Sequence, residues 1–371
     1  MIKILHLADL HLGLEFSRYP SIAALLKEER LRALRNYIER ANQEKADIIV
    51  VAGDLFDKLT VSQKLVKETK SILHLFQGET IVIPGNHDWY NRSANDNKIW
   101  EWFLEAPGNN VHLLNEWRPY PFQLSEDKII FYPCGCHQKH SNDHLIGWVK
   151  DEIKSNEALH IGIAHGNVEG YGLDEEGNYF NMRTDELKAA GVDCWLLGHI
   201  HAPYPKTEIA VDEVFFFAGN HCSDSWKAER AGGGWLIEID AQKKVKATRW
   251  HHQGICFRDR IYTINNVHEA NSMLSELKNM IAEQTVLRIY LNGSLSEDEL
   301  NILTADFKSH TEGFLYIEPY WNMTLKITGE EIDKLYVTGS IPHTLLTELS
   351  KKEEDILAMQ LAYETIKSIT P

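Results

Sequence analysis

The chain has 371 residues, 43% hydrophobic and 25% charged, with a formal net charge of −16. That length suits one large domain plus one or two small ones, the composition excludes a disordered chain, and no apolar run approaches the roughly 20 residues needed to span a bilayer. The acidic balance excludes a protein that grips nucleic acid by bulk charge, because phosphate contacts draw on Lys and Arg; it suits a chain that holds divalent cations, so a DNA substrate would need metals, local basic loops or a partner subunit.

The opening, "MIKILHLADLHLG", carries charges at Lys3 and Asp9 and reads as a strand that starts the fold, not as a signal peptide. Short apolar runs at 3–7, 48–52, 80–83, 129–132, 160–164, 194–197 and 215–218 read as buried strands, with helical patterns such as 21–42 and 61–76 between them. Alternating strands and helices predict a layered α/β domain. Past about residue 213 the helices stop, and "VFFFAG", "GGWLIEID" and "KVKATRW" read as consecutive antiparallel strands. From Arg258-Asp-Arg260 a second unit reads strand, helix, strand, with "FLYIEPYW" and "MTLKITG" as further strands, a small α+β module. From Pro342 the tail has helical apolar spacing and a Pro-containing helix start. The expected domains are therefore 1–257, 258–340 and a helical segment 341–371. Five cysteines, an odd number without a C-x-x-C pair, predict free thiols in a reducing cytoplasm, with no membrane association.

Chemistry gathers where the strands end. Taken alone, "GNHD" at Gly85–Asp88 is ordinary turn chemistry. Yet the first strand is followed by Asp9 and His11, the second by Gly53-Asp54 and Asp57, the third by Gly85-Asn86-His87-Asp88, and two later ones by His165-Gly166 and Gly198-His199-Ile-His201. Sites in α/β sheets collect at the carboxyl ends of strands. In an extended segment, residues i and i+2 point the same way, so Asp9 and His11 can share one ion, as can His199 and His201. Asp9, His11, Asp54, Asn86, His165, His199 and His201 are seven candidate ligands, too many for one tetrahedral ion and about right for two. Mixed imidazole, carboxylate and amide oxygen favours Mn, Fe or Zn over Ca or Mg. His87, one residue past Asn86, can face a substrate; as imidazolium it would stabilise a phosphate or protonate a leaving oxygen, with Asp88 orienting it or a ligand histidine. Trp100, Trp102 and Phe103 have the spacing of a packed helix face more than of a base-stacking platform.

The motifs "DLHLG", "GDLFD", "GNHD", "AHG" and "GHIH" resemble the signature of calcineurin-like metallophosphoesterases over roughly residues 1–255, and "AHGNVEGY" and "VDCWLLGHIHAP" resemble the SbcD-type DNA double-strand-break repair nucleases. The resemblance implies a four-layered β-sandwich flanked by helices, a small α+β capping domain, and a C-terminal helical segment that docks on an SMC-like ATPase of SbcC type. It implies one ion held by Asp9, His11, Asp54 and His201 and another by Asp54, Asn86, His165 and His199, with Asp54 as the bridge and His87 as a catalytic residue outside both sets. The two divalent ions are expected to be Mn2+, with Fe2+, Zn2+ or Mg2+ as the other candidates. Where some relatives carry a second catalytic histidine this chain has Asp57, expected to support a ligand from behind or to cap. The expected activity is that of a two-metal DNA nuclease, of 3'-5' exonuclease and single-strand endonuclease type, acting on single strands or duplex ends. It would work as a homodimer within an SbcC-like complex in DNA repair or defence. The alternatives are a small-molecule phosphodiesterase or phosphatase on the same site, which the negative charge favours, and an idle scaffold subunit, which the full ligand set disfavours.

Overall fold

A computed structural model describes residues 1–371 except 92–96, 125, 154–156, 172–178, 228–231, 328, 352–355 and 370–371. The chain divides into two units, Met1–Phe257 and Arg258–Pro371.

In chain order the first unit runs β1 (Ile2–Leu7), α1 (Ala23–Gln43), β2 (Ile48–Ala52), α2 (Gln63–Leu73), β3 (Glu79–Ile83), α3 (Lys98–Glu105), β4 (Val111–Leu113), β5 (Tyr120–Leu124) and β6 (Asp127–Cys134). It continues with α4 (Val149–Glu152), β7 (Leu159–His165), α5 (Thr184–Ala189), β8 (Cys194–Gly198), β9 (Ile209–Val211), β10 (Phe215–Phe217), β11 (Gly233–Ile239) and β12 (Val245–His251). These strands form a seven-stranded sheet, β4-β3-β2-β1-β11-β12-β9, and a five-stranded sheet, β10-β8-β7-β6-β5.

Strand periodicity explains how the sheets pack. Ile2, Ile4 and Ala8 of the first strand and its exit, with Ile48, Val50 and Ala52 of β2, join Ile161, Ile163, Leu196 and Phe216 from the other sheet in one apolar layer. The alternate residues Leu5, Leu7, Ile49 and Val51 pack instead with Leu34, Ile38, Val66 and Leu73 of α1 and α2. On the far side Tyr132, Trp195, Leu197 and Phe217 pack with Val149 and Leu187 of α4 and α5. The result is the four-layered sandwich, helices outside and two sheets within. β2, "IIVVA", is buried at every position because both its faces are covered. Trp100 and Phe103 are fully buried core residues, and the Trp100 indole N–H donates to the Asp88 carbonyl at 2.6 Å, so packing is their role.

"VFFFAG" does not continue an antiparallel run with the two strands after it. β10 pairs parallel with β8, Phe215 opposite Trp195, and so belongs to the other sheet, while β11 and β12 pair antiparallel. The run is apolar on both faces, as a strand enclosed between layers must be, and local sequence does not say which sheet takes it.

From Cys256, two residues before the second unit begins, β13 (Cys256–Ile264), α6 (Val267–Lys278), β14 (Thr285–Leu295), α7 (Glu297–Thr311) and β15 (Tyr316–Leu325) form a three-stranded sheet with helices, in the order β13-β14-β15. Asn266 caps α6 and a Ser296/Glu299 capping box opens α7. "FLYIEPYW" and "MTLKITG" are one strand, not two: Tyr316 to Leu325 pairs continuously with β14, and Pro319, which lacks a donor, sits on this edge strand where the loss is tolerated. The tail forms α8 (Gly329–Leu335), α9 (Ile341–Ser350) and α10 (Ile356–Ile369), and Ile332, Leu346, Met359 and Tyr363 make their shared apolar cluster. No helix among the described residues is long and apolar enough to cross a membrane. All five cysteines are free.

Candidate metal centre

The seven residues converge at the carboxyl ends of β1, β2, β3, β7 and β8. The backbone brings them there under strain: Asp9, His11, Asp54 and His199 have φ of 54°, 40°, 51° and 93°, in the left-handed region that non-glycine residues seldom occupy. Cross-loop hydrogen bonds hold these conformations. Asp9 N–H donates to the Gly53 carbonyl at 3.2 Å and His11 N–H to the Asp54 carbonyl at 2.9 Å. His199 N–H donates to the Asp9 carboxylate at 3.0 Å, and His87 N–H to Asp54 Oδ1 at 2.8 Å.

Asp54 is at the middle. Its Oδ2 lies 3.3 Å from His165 Nε2 and 3.5 Å from His11 Nε2. On one side of it, His11 Nε2 is 3.2 Å from His201 Nε2, and His201 Nε2 is 3.8 Å from Asp9 Oδ1. On the other, Asn86 Oδ1 lies 3.0 Å from both His165 Nε2 and His199 Nδ1. Asp9, His11 and His201 form one close set of potential ligands and Asp9, Asp54 and His165 another; a third set, His11, Asp57 and His87, shares His11.

These atoms fit cations. His165 Nδ1 is 2.8 Å from the Ala52 carbonyl, which can only accept, so that nitrogen carries the proton. In the neutral ring Nε2 is then left with a lone pair facing two further acceptors, Asn86 Oδ1 and Asp54 Oδ2. Lone pairs pressed together in a buried site need a positive charge between them. The electrostatics run the same way. Burial pushes the Asp9 carboxyl up to about 6, against the pull of His165. Burial also works to raise Asp54, but His165 and His11 hold it well below the usual carboxylate range. Burial works to lower His165, yet Asp54 raises it to about 9. Buried imidazoles are thus drawn to carry protons where a divalent ion would neutralise the same carboxylates.

Residues 2–203 match the Calcineurin-like phosphoesterase family. The chain belongs to the calcineurin-like phosphoesterases. It is 30% identical over 260 residues to the uncharacterized metallophosphoesterase YhaO of Bacillus subtilis (strain 168), covering 64% of this chain and 57% of that protein. It is 26% identical over 262 residues to the SbcD component of the nuclease SbcCD of Staphylococcus saprophyticus, covering 65% of this chain and 67% of that protein. It is 36% identical over 94 residues to the DNA double-strand break repair protein Mre11 of Archaeoglobus fulgidus, covering 24% of this chain and 20% of that protein.

The calcineurin-like phosphoesterase family uses divalent metals, and the cluster around Asp54 is this chain's candidate metal-binding site. His87 stands beside that cluster of the phosphoesterase fold. Its Nδ1 donates to the Asp57 carbonyl at 2.9 Å, and its ring meets that of His11 edge-on at 4.6 Å between centroids. The Asp57 carboxylate lies behind His11, 3.6 Å from its Nδ1. Asp88 takes a different place from the one expected. Its Oδ1 accepts from Gly85 N–H at 2.7 Å and its Oδ2 from Phe56 N–H at 2.9 Å, so it ties the loop after β3 to the loop after β2. A short acidic residue beside a histidine reads as a partner for that histidine; only the three-dimensional closeness of the two loops reveals its backbone donors.

Sequence reasoning missed Arg30 and Asp224. Arg30 lies in "KEERLR", where a charge run on a helix reads as a solvated face, yet it is buried beneath the loop after β1.

Gly85 allows a close approach to the middle of this site: a Cβ there would overlap the Asp54 carboxylate and backbone. Gly85→Ala is expected to displace Asp54, lowering stability by about 1–3 kcal/mol, a usual cost of overpacking, and to weaken metal binding together with it. Urea unfolding followed alongside a Mn2+ titration checks both; an unchanged variant would mean the loops yield freely.

Proposed function

We propose that the chain is a two-metal-dependent DNA nuclease, of 3'-5' exonuclease and single-strand endonuclease type, serving as the nuclease component of an SbcC-like ATPase complex. The observation that carries this reading is the convergence of all seven residues around Asp54. The similarity to the SbcD component of the nuclease SbcCD, and over a shorter stretch to Mre11, supports DNA as the substrate and an SMC-like ATPase as partner. A homodimer and a role in DNA repair or defence belong to the same reading.

In this reading Asp9, His11, Asp54 and His201 hold one ion and Asp54, Asn86, His165 and His199 the other, with Mn2+ preferred for the mixed donor set. When bound, the pair supplies Lewis acidity, making water nucleophilic near neutral pH and offsetting phosphate charge. The rest is the work of side chains. Asp54 keeps the imidazoles of His11 and His165 in place from a site dry enough to strengthen every electrostatic contact. Its Oδ1 also takes the His87 N–H and so sets the start of the His87 side chain. With Nδ1–H committed to the Asp57 carbonyl, Nε2 is the His87 atom that gives a proton to the departing alkoxide.

The second reading, a small-molecule phosphodiesterase or phosphatase, draws on the net charge of −16 and on the similarity to YhaO. The two separate on one comparison: chelator-stripped protein, restored with Mn2+, offered end-labelled single- and double-stranded DNA beside a chromogenic phosphodiester. Cleavage of DNA that requires the ion is expected. Turnover of the chromogenic ester with intact DNA would favour the second reading.

A further inference from the structure

Beneath the candidate centre the guanidinium of Arg30, on α1, is almost wholly enclosed, 1% exposed. Nε donates to the Leu10 carbonyl at 2.8 Å and Nη2 to the Asp9 carbonyl at 3.4 Å, so the cation is fastened to the backbone that carries Asp9 and His11. The Arg30 carbonyl in turn accepts from His221 Nε2 at 2.9 Å, which fixes the helix turn to the loop after β10. Glu29 is engaged elsewhere, 2.9 Å from His252 Nε2 and accepting from Ile255 N–H at 3.2 Å.

The remaining arm of Arg30 faces Asp224. Nη1 lies 3.8 Å from Asp224 Oδ2, and the same oxygen lies 3.8 Å from His201 Nδ1. Asp224 Oδ1 is buried without a hydrogen-bond partner among the described residues. The far nitrogen of the His201 ring, Nε2, is the one 3.2 Å from His11 Nε2 and 3.8 Å from Asp9 Oδ1. One imidazole therefore spans two buried acidic surroundings, with the candidate ligand cluster on one side and a lone carboxylate on the other. Histidines that bind metals donate their second N–H to a carboxylate or carbonyl, which selects the tautomer and tilts the ring. A buried carboxylate is costly unless a cation compensates it, and Arg30 is placed to do so.

We infer that Asp224, anchored by Arg30, is a positioning residue that takes the Nδ1 proton of His201 in a hydrogen bond and so presents the Nε2 lone pair to the ion held with Asp9, His11 and Asp54. This rests on the two-ion reading above. A small swing of the His201 ring brings its Nδ1, now 3.8 Å from Asp224 Oδ2, within hydrogen-bond reach. Arg30 thereby couples the loop after β1 to the loop after β10 through charge as well as backbone.

Calorimetric Mn2+ titration of the full chain tests it, with Asp224→Ala and the isosteric Asp224→Asn, each checked for folding by thermal melting. Wild type is expected to take up two ions. Asp224→Ala is expected to weaken one of the two by about 10–100-fold, the usual loss when the carboxylate behind a ligand histidine is removed, and to leave the other unchanged. Asp224→Asn, which keeps an acceptor but no charge, is expected to lose less at the same ion, and it decides the matter if the alanine variant does not fold. Unchanged affinity for both ions in a folded variant overturns the inference while the two-ion reading stands. A wild-type chain that binds no Mn2+ overturns both, and the two failures are distinct in the wild-type trace.

Discussion

Asp54→Asn should abolish phosphodiester cleavage, by at least about 10^3-fold, well beyond the roughly 10–100-fold that losing a partner behind a metal ligand costs. The change keeps the volume of a residue that is 1% exposed, so the layers around it need not repack. It removes a negative charge that faces His11 and His165 together. Oδ2 stands between His165 and His11, and Oδ1 accepts the His87 backbone N–H. With an amide there, the buried imidazoles lose the negative charge that faces them, and both proposed ion sets lose a carboxylate. Metal content by plasma mass spectrometry and cleavage rate, measured on the same preparation, should fall together. Retention of both ions and of activity would remove Asp54 from the mechanism.

His87→Gln should separate binding from chemistry. His87 belongs to neither proposed ion set, so the variant should keep its metal and its KM. The rate should fall by about 10^2–10^4-fold, the span typical of losing a general acid. The size of the fall should depend on the leaving group: large for DNA, whose departing alkoxide needs a proton, and small for a p-nitrophenyl ester, whose departing phenolate does not. An equal loss on both substrates would mean that His87 steadies the phosphate rather than donating a proton, and loss of metal would make it a ligand, as its closeness to His11 and Asp57 allows.

The site is legible in the sequence because each ligand follows a strand that can be recognised from its own apolar run. β1, β2, β3, β7 and β8 begin and end within a residue or so of where their sequences place them; Asp9 and His11 do come together, but in left-handed loop conformations beyond the end of β1 and not by the strand alternation the sequence suggests. What stays hidden depends on contacts between segments far apart in the chain. Arg30 reaches Asp224 across 194 residues of sequence, and nothing in "KEER" or "HCSDSW" signals that meeting. Asp88 reads as a partner for His87 because they are neighbours, whereas its donors come from Gly85 and from Phe56 in the preceding loop. β10 escapes for a similar reason: an apolar run announces a buried strand, and its sheet is decided by the parallel register with Trp195–Leu197. β15 reads as two strands because Pro319 looks like a break, which an edge strand absorbs.

The most direct test is anomalous diffraction at the manganese edge from crystals of the wild-type chain grown with Mn2+. Two peaks are predicted, about 3.5–4 Å apart as in other two-metal sites, one against Asp9, His11, Asp54 and His201 and the other against Asp54, Asn86, His165 and His199. A single peak, or peaks that avoid Asp54 and fall between His11, Asp57 and His87, would contradict the two-ion centre and the mechanism built on it.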